Sequence, residues 1–65
     1  MNIEVSFNLS IESANAAIVE DPALAIADIL SNVKRTLSDG YTSGMITDYN
    51  GNRVGTWKLD QTDLD

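Results

Sequence analysis

The residues with the best claim to chemistry lie in one short run, Asp48-Tyr49-Asn50-Gly51-Asn52. Oxygen-bearing side chains at alternate positions of D-x-N-G-N resemble the opening of a calcium-binding loop, where they supply the first ligands. Such a loop also places Gly at position six and a bidentate Glu at position twelve. Counted from Asp48, those positions hold Arg53 and Leu59, so the pattern fails where it is diagnostic. Asn50-Gly51 reads more simply as a two-residue type I′ turn between strands, because Asn and Gly tolerate φ > 0 best. The chain has no Cys and no His, which excludes disulfides, thiolate metal sites and an imidazole base. It also lacks a P-loop and a G-x-G-x-x-G run. Asp48 is the one acid within a defined element that could face a cleft, and Arg53 is expected to occupy it. The expectation is a protein that is not an enzyme and carries no metal or cofactor.

The element that must position this run is the hairpin Gly40 to Leu59. A two-residue loop at Asn50-Gly51 would set Asp48 opposite Arg53, Ile46 opposite Gly55 and Gly44 opposite Trp57. The large Trp57 ring then lies where Gly44 offers no side chain. Ile46, Trp57 and Leu59 share the face assigned to the core. Met45, Tyr49 and Val54 fall on the other face, with Thr47, Thr56 and Lys58 between them, and form a candidate interaction face.

Ahead of the hairpin, residues 2 to 11 read NIEVSFNLSI. Ile3, Val5, Phe7, Leu9 and Ile11 alternate with polar residues, which predicts a strand with one packed and one wet face. Residues 12 to 20, ESANAAIVE, suit either a short helical turn or an extended segment. They read as a connection whose Ile18 plugs one end of the core. Asp21 and Pro22 then supply an N-cap and a first helical residue. Ile26, Ile29, Leu30, Val33 and Leu37 follow as one stripe at helical period. Gly40 ends a helix expected over 22–39.

These parts predict an α+β fold, β-α-β-β, with one helix on one face of a three-stranded, mainly antiparallel sheet. The order 1-3-2 is preferred; the alternative sets the second strand beside the first through a right-handed crossover. Residues 1–60 read as a single domain and 61–65 as an acidic flexible tail. A core this small rarely supplies more than about 3–5 kcal/mol, so without disulfides or metal a homo-oligomer is the expected staple.

Ten acidic against four basic residues give a net charge of −6. That is a poor footprint for direct nucleic-acid binding, which relies on Lys and Arg at phosphates. It suits a basic partner or plain solubility. No apolar run approaches the roughly 20 residues of a membrane helix. Nor does a basic start precede an apolar stretch as in a signal peptide, so a cytoplasmic location is expected.

NAAI at 15–18, the Pro22 helix with Ile29-Leu30, DG at 39–40, SG at 43–44 and DYNGNRVGTW at 48–57 resemble a group of small bacteriophage and prophage proteins. In that group a D-x-N-G-N-x-V-G-x-W hairpin follows a short helix with an I-L pair. The likeness covers residues 15 to 59, and Ile18 stands where an aromatic residue is usual. No activity is attached to the group, so it lends no catalytic residue. It implies a phage accessory protein in the host bacterial cytoplasm.

Three functions follow as expectations. The first is an accessory protein that binds a host protein, such as a defence or regulatory factor, with mimicry of DNA by surface carboxylates as its sharper form. The second is a homo-oligomer that binds a nucleotide-like ligand, stacked on Tyr49 and Trp57. The third is a structural or assembly protein.

Overall fold

The computed structural model describes residues 2–13 and 15–64 of the 65. Five elements follow in order: β1 (Ile3–Ile11), α1 (Ala16–Val19), α2 (Pro22–Ser38), β2 (Ser43–Thr47) and β3 (Arg53–Asp63). The three strands form one antiparallel sheet in the order β1-β3-β2. The expected α+β architecture and its preferred strand order are therefore observed, and the parallel alternative is not.

Helix α2 has the ends its sequence asks for. The Asp21 carboxylate accepts the Leu24 N–H at 3.3 Å, and Pro22 occupies the first turn, where no N–H is needed. At the other end Gly40 takes φ +96°. Its N–H donates to the Leu37 carbonyl while that of Tyr41 donates to the Thr36 carbonyl, which satisfies the last turn. Ile29 and Val33 are buried, and Ala25, Ile26 and Leu37 flank them. Leu30, expected in the stripe, is exposed, because it lies at the border of a face only wide enough for its neighbours.

The core closes around Ile29, Val33, Ile46, Val54, Trp57 and Ile18, the last supplied by the short α1. Trp57 lies over Gly44 as anticipated: a Cβ there would stand 2.7 Å from the indole Nε1. The register near the turn differs from expectation. Within the loop Gly51 has positive φ, at +86°, and Asn50 does not. The Gly51 N–H donates to the Asp48 carbonyl and the Asp48 N–H to the Asn52 carbonyl. This is a three-residue loop, a type I turn followed by a left-handed glycine.

The extra loop residue is compensated in the strands. Ile46 faces Gly55, but Thr47 faces Arg53, so Val54 is an unpaired bulge residue. The bulge reverses its side, and Val54 is buried in the core instead of joining Met45 and Tyr49 outside. Asp48 is correspondingly not the cross-strand partner of Arg53.

Strand β3 also runs further than anticipated. Gln61 to Asp63 pair with Val5 to Ile3, and the Leu64 N–H donates to the Asn2 carbonyl. The expected tail from residue 61 is thus strand as far as Asp63, and Asp65 lies outside the described residues. Beyond Leu59 this is a two-stranded ribbon, since β2 pairs with β3 only as far as Lys58. The ribbon draws the molecule out to 46 × 21 × 17 Å.

Strands β1 and β3 approach closely at Gly55, where a Cβ would overlap the Ser10 carbonyl oxygen and stand 3.1 Å from the Ile11 Cα. These are backbone atoms that cannot rotate aside. Gly55→Ala is expected to cost about 3 kcal/mol or more, beyond ordinary overpacking. Gly51→Ala meets no atom within 4 Å and carries only the penalty for positive φ, about 1–2 kcal/mol. Thermal melting followed by circular dichroism checks this order; equal losses would mean that the strands separate freely at Gly55.

Candidate functional site

The D-x-N-G-N run builds a closed polar knot. Asp48 is buried, with 7 % of its surface exposed. One carboxylate oxygen, Oδ1, accepts the Asn52 N–H at 2.9 Å and the Asn50 N–H at 3.0 Å. The other, Oδ2, accepts the side-chain amides of Asn15 at 3.3 Å and Asn52 at 3.4 Å. Each of these four hydrogen-bond partners is a donor. A cation would need oxygens turned towards it, and among the described residues no group of three or more acidic side chains converges as metal ligands. The spelling that resembles a calcium loop is turn chemistry.

Asn15 has a second consequence. It stands at the N-cap of α1 but makes no side-chain cap. Its amide reaches Asp48 instead, 33 residues away, and ties the start of α1 to the hairpin loop. The Asn52 backbone N–H is the main influence holding the Asp48 carboxyl below its ordinary value of 3.8. Burial opposes it, while the Asn52 side chain, the Asn50 N–H and Asn15 reinforce it.

Beside this knot lies a cleft of about 310 Å³ between the first half of α2 and the β2–β3 loop. Leu24, Ala25 and Ile29 line it with apolar surface; Glu20, Asp21, Asp28 and Asp48 bring carboxylates, and Tyr49 closes one side. No Lys or Arg is among its lining residues. Tyr49 is 83 % exposed. The cleft thus combines an apolar lining, a phenol and carboxylates with no Lys or Arg in its lining.

The residues singled out from the sequence do not assemble as a group. Met45 is exposed and borders a separate, smaller groove, Tyr49 flanks the cleft, and Val54 is inside the core. The alternative stacking pair, Tyr49 and Trp57, is also divided. Trp57 is 3 % exposed, with its ring centroid 6.0 Å from that of Phe7, and has no open face for a base. Leu24 was the missed signal, a leucine in the first helical turn outside the apolar stripe.

Asp48 titrates lower in the folded chain than in the unfolded one, so its contribution to stability is present above about pH 3.8 and is lost as the pH falls through the folded value. Asp48→Asn should lower Tm at pH 7, because the new amide faces donors. The gap from the wild type should narrow as the pH is lowered below 3.8. Melting curves from pH 7 to about pH 2.5 test this; a gap independent of pH would show that the charge on Asp48 is irrelevant.

Comparison of the chain with protein-family models, with curated proteins and with solved structures finds no match.

Proposed function

We propose that this is a non-catalytic accessory protein that acts by binding a host protein in the bacterial cytoplasm. The observation that carries the reading is the cleft beside the hairpin loop. Its lining from Leu24, Ala25 and Ile29 suits an aliphatic stem, and Glu20, Asp21 and Asp28 around it suit a cationic head. A Lys- or Arg-bearing segment of a partner offers both at once. The phage resemblance supplies the cellular setting, and a host defence or regulatory factor is the class of target.

Asp48, the buried charged side chain among the described residues, spends its acceptor capacity on the loop and on Asn15 and is not available as an acid or base. This supports a binding role over catalysis. Ligand stacking on Trp57 has no comparable support, because the ring is inside the core.

Tagged wild-type protein and two surface variants, Leu24→Glu and Tyr49→Ala, test the proposal by capture from a bacterial lysate. The wild type should retain a protein of basic isoelectric point that both variants lose at least tenfold. About 0.5 M NaCl should weaken the capture, since screened charges attract less. Equal retention by the variants would remove the binding role from the cleft. A partner insensitive to salt, or none above background, would overturn the reading.

A further inference from the structure

We propose that two copies of this chain join edge to edge along β1, giving a continuous six-stranded sheet. The inference stands apart from the cleft. It begins with Ile3, Val5 and Phe7, which are 55, 60 and 46 % exposed although their alternation marks a packed face. Leu9 and Ile11, further along the same face, pack against the core. The apolar side of β1 is therefore covered at one end and open at the other.

The edge itself carries the second observation. β1 lies at one side of the sheet, with β3 as its neighbour. Sheet edges are normally guarded by Lys, Pro, a bulge or short length. β1 is nine residues long and pairs without interruption. It contains no Lys, Arg or Pro, and Glu4 is its sole charge. The opposite edge, β2, has five residues.

Hydrogen-bond parity then selects the pairing. The Asn2 carbonyl accepts from Leu64 and the Glu12 N–H donates to the Val54 carbonyl, at the two ends of the ladder. Even-numbered residues of β1 thus face β3. The N–H and C=O of Ile3, Val5, Phe7, Leu9 and Ile11 point to the open edge. These are the same five residues whose side chains form the apolar face.

In an antiparallel self-pairing the outward groups of odd residues must meet odd residues. Full overlap of the strand puts Phe7 on the two-fold axis, opposite Phe7 of the second copy. Val5 then faces Leu9 of the second copy, and Ile3 faces Ile11. Each open end lies beside a covered end, and both helices fall on one side of the sheet. On the wet face Glu4 meets Ser10 and Ser6 meets Asn8, so no like charges are opposed.

The five outward residues of each copy supply about ten hydrogen bonds across the axis. Their exposures leave about 100 Å² open on each of Ile3, Val5 and Phe7. With nine residues of edge closed in each copy, the contact buries about 1,000 Å² in total, the size at which specific interfaces begin. Each chain carries −6, so added salt should tighten the pair.

Sedimentation equilibrium and concentration-dependent hydrogen exchange of the full chain test the proposal together. Twice the chain mass of 7.0 kDa is expected at high concentration. The amides of Val5, Phe7 and Leu9 should exchange at least tenfold more slowly at about 500 μM than at about 5 μM. Val5→Lys, at an exposed position, should keep its circular dichroism spectrum and sediment as a single chain. A single-chain mass at about 1 mM would overturn the proposal. So would a dimer whose odd-numbered β1 amides stay unprotected, which would place the contact elsewhere. Undiminished pairing by Val5→Lys would overturn it as well.

Discussion

The hairpin depends on one buried carboxylate. Asp48 gathers the N–H groups of Asn50 and Asn52 and so selects a loop of three residues with Gly51 left-handed. A three-residue loop shifts the strands by one position, and the shift is absorbed by the bulge at Val54. The bulge turns Val54 inward, where it completes the core with Ile18 and Ile29. Asn15, at the start of α1, secures the same carboxylate. One interaction thus governs the turn, the register and part of the core.

The second constraint is one of length. A 17-residue helix spans about 26 Å, whereas eleven residues of strand span about 37 Å. The helix covers the part of the sheet where three strands meet and leaves the β1–β3 ribbon beyond it bare. This mismatch, with the low charge of β1, distinguishes one end of the molecule from the acidic cleft at the hairpin loop. The cleft sets carboxylates around an apolar lining, and the ribbon sets a bare apolar face beside an edge whose sole charge is Glu4.

Much of the fold was legible because local chemistry and tertiary need agree. The alternation of β1, the Asp21-Pro22 start and the Gly40 stop of α2, and the fit of Trp57 over Gly44 each follow from short-range rules. Asn50-Gly51 was legible as a turn but not as a type of turn, since the pair serves both a two-residue and a three-residue loop. Choosing between them depends on whether the Asp48 carboxylate takes the Asn50 and Asn52 N–H groups, which the Asn-Gly pair by itself does not contain. Leu30 and Val54 were misplaced for related reasons. Periodicity ranks Leu30 with the stripe but does not give the width of the contact, and a strict period of two has no place for a bulge.

The amino-acid sequence by itself determined β1, α2 and the hairpin, favoured the antiparallel order and excluded Cys and His chemistry, because these depend on composition, period and capping. Tertiary structure alone decided the rest. It made the D-x-N-G-N run a satisfied polar knot instead of an open cation loop, because the Asn15 amide from the start of α1 joins the loop's own amides on Asp48. It brought Leu24, Asp28 and Tyr49 around one cleft, because the helix start lies beside the hairpin loop. It also left Ile3, Val5 and Phe7 uncovered. Alternation makes a face apolar, but whether anything lies over that face depends on where the helix ends.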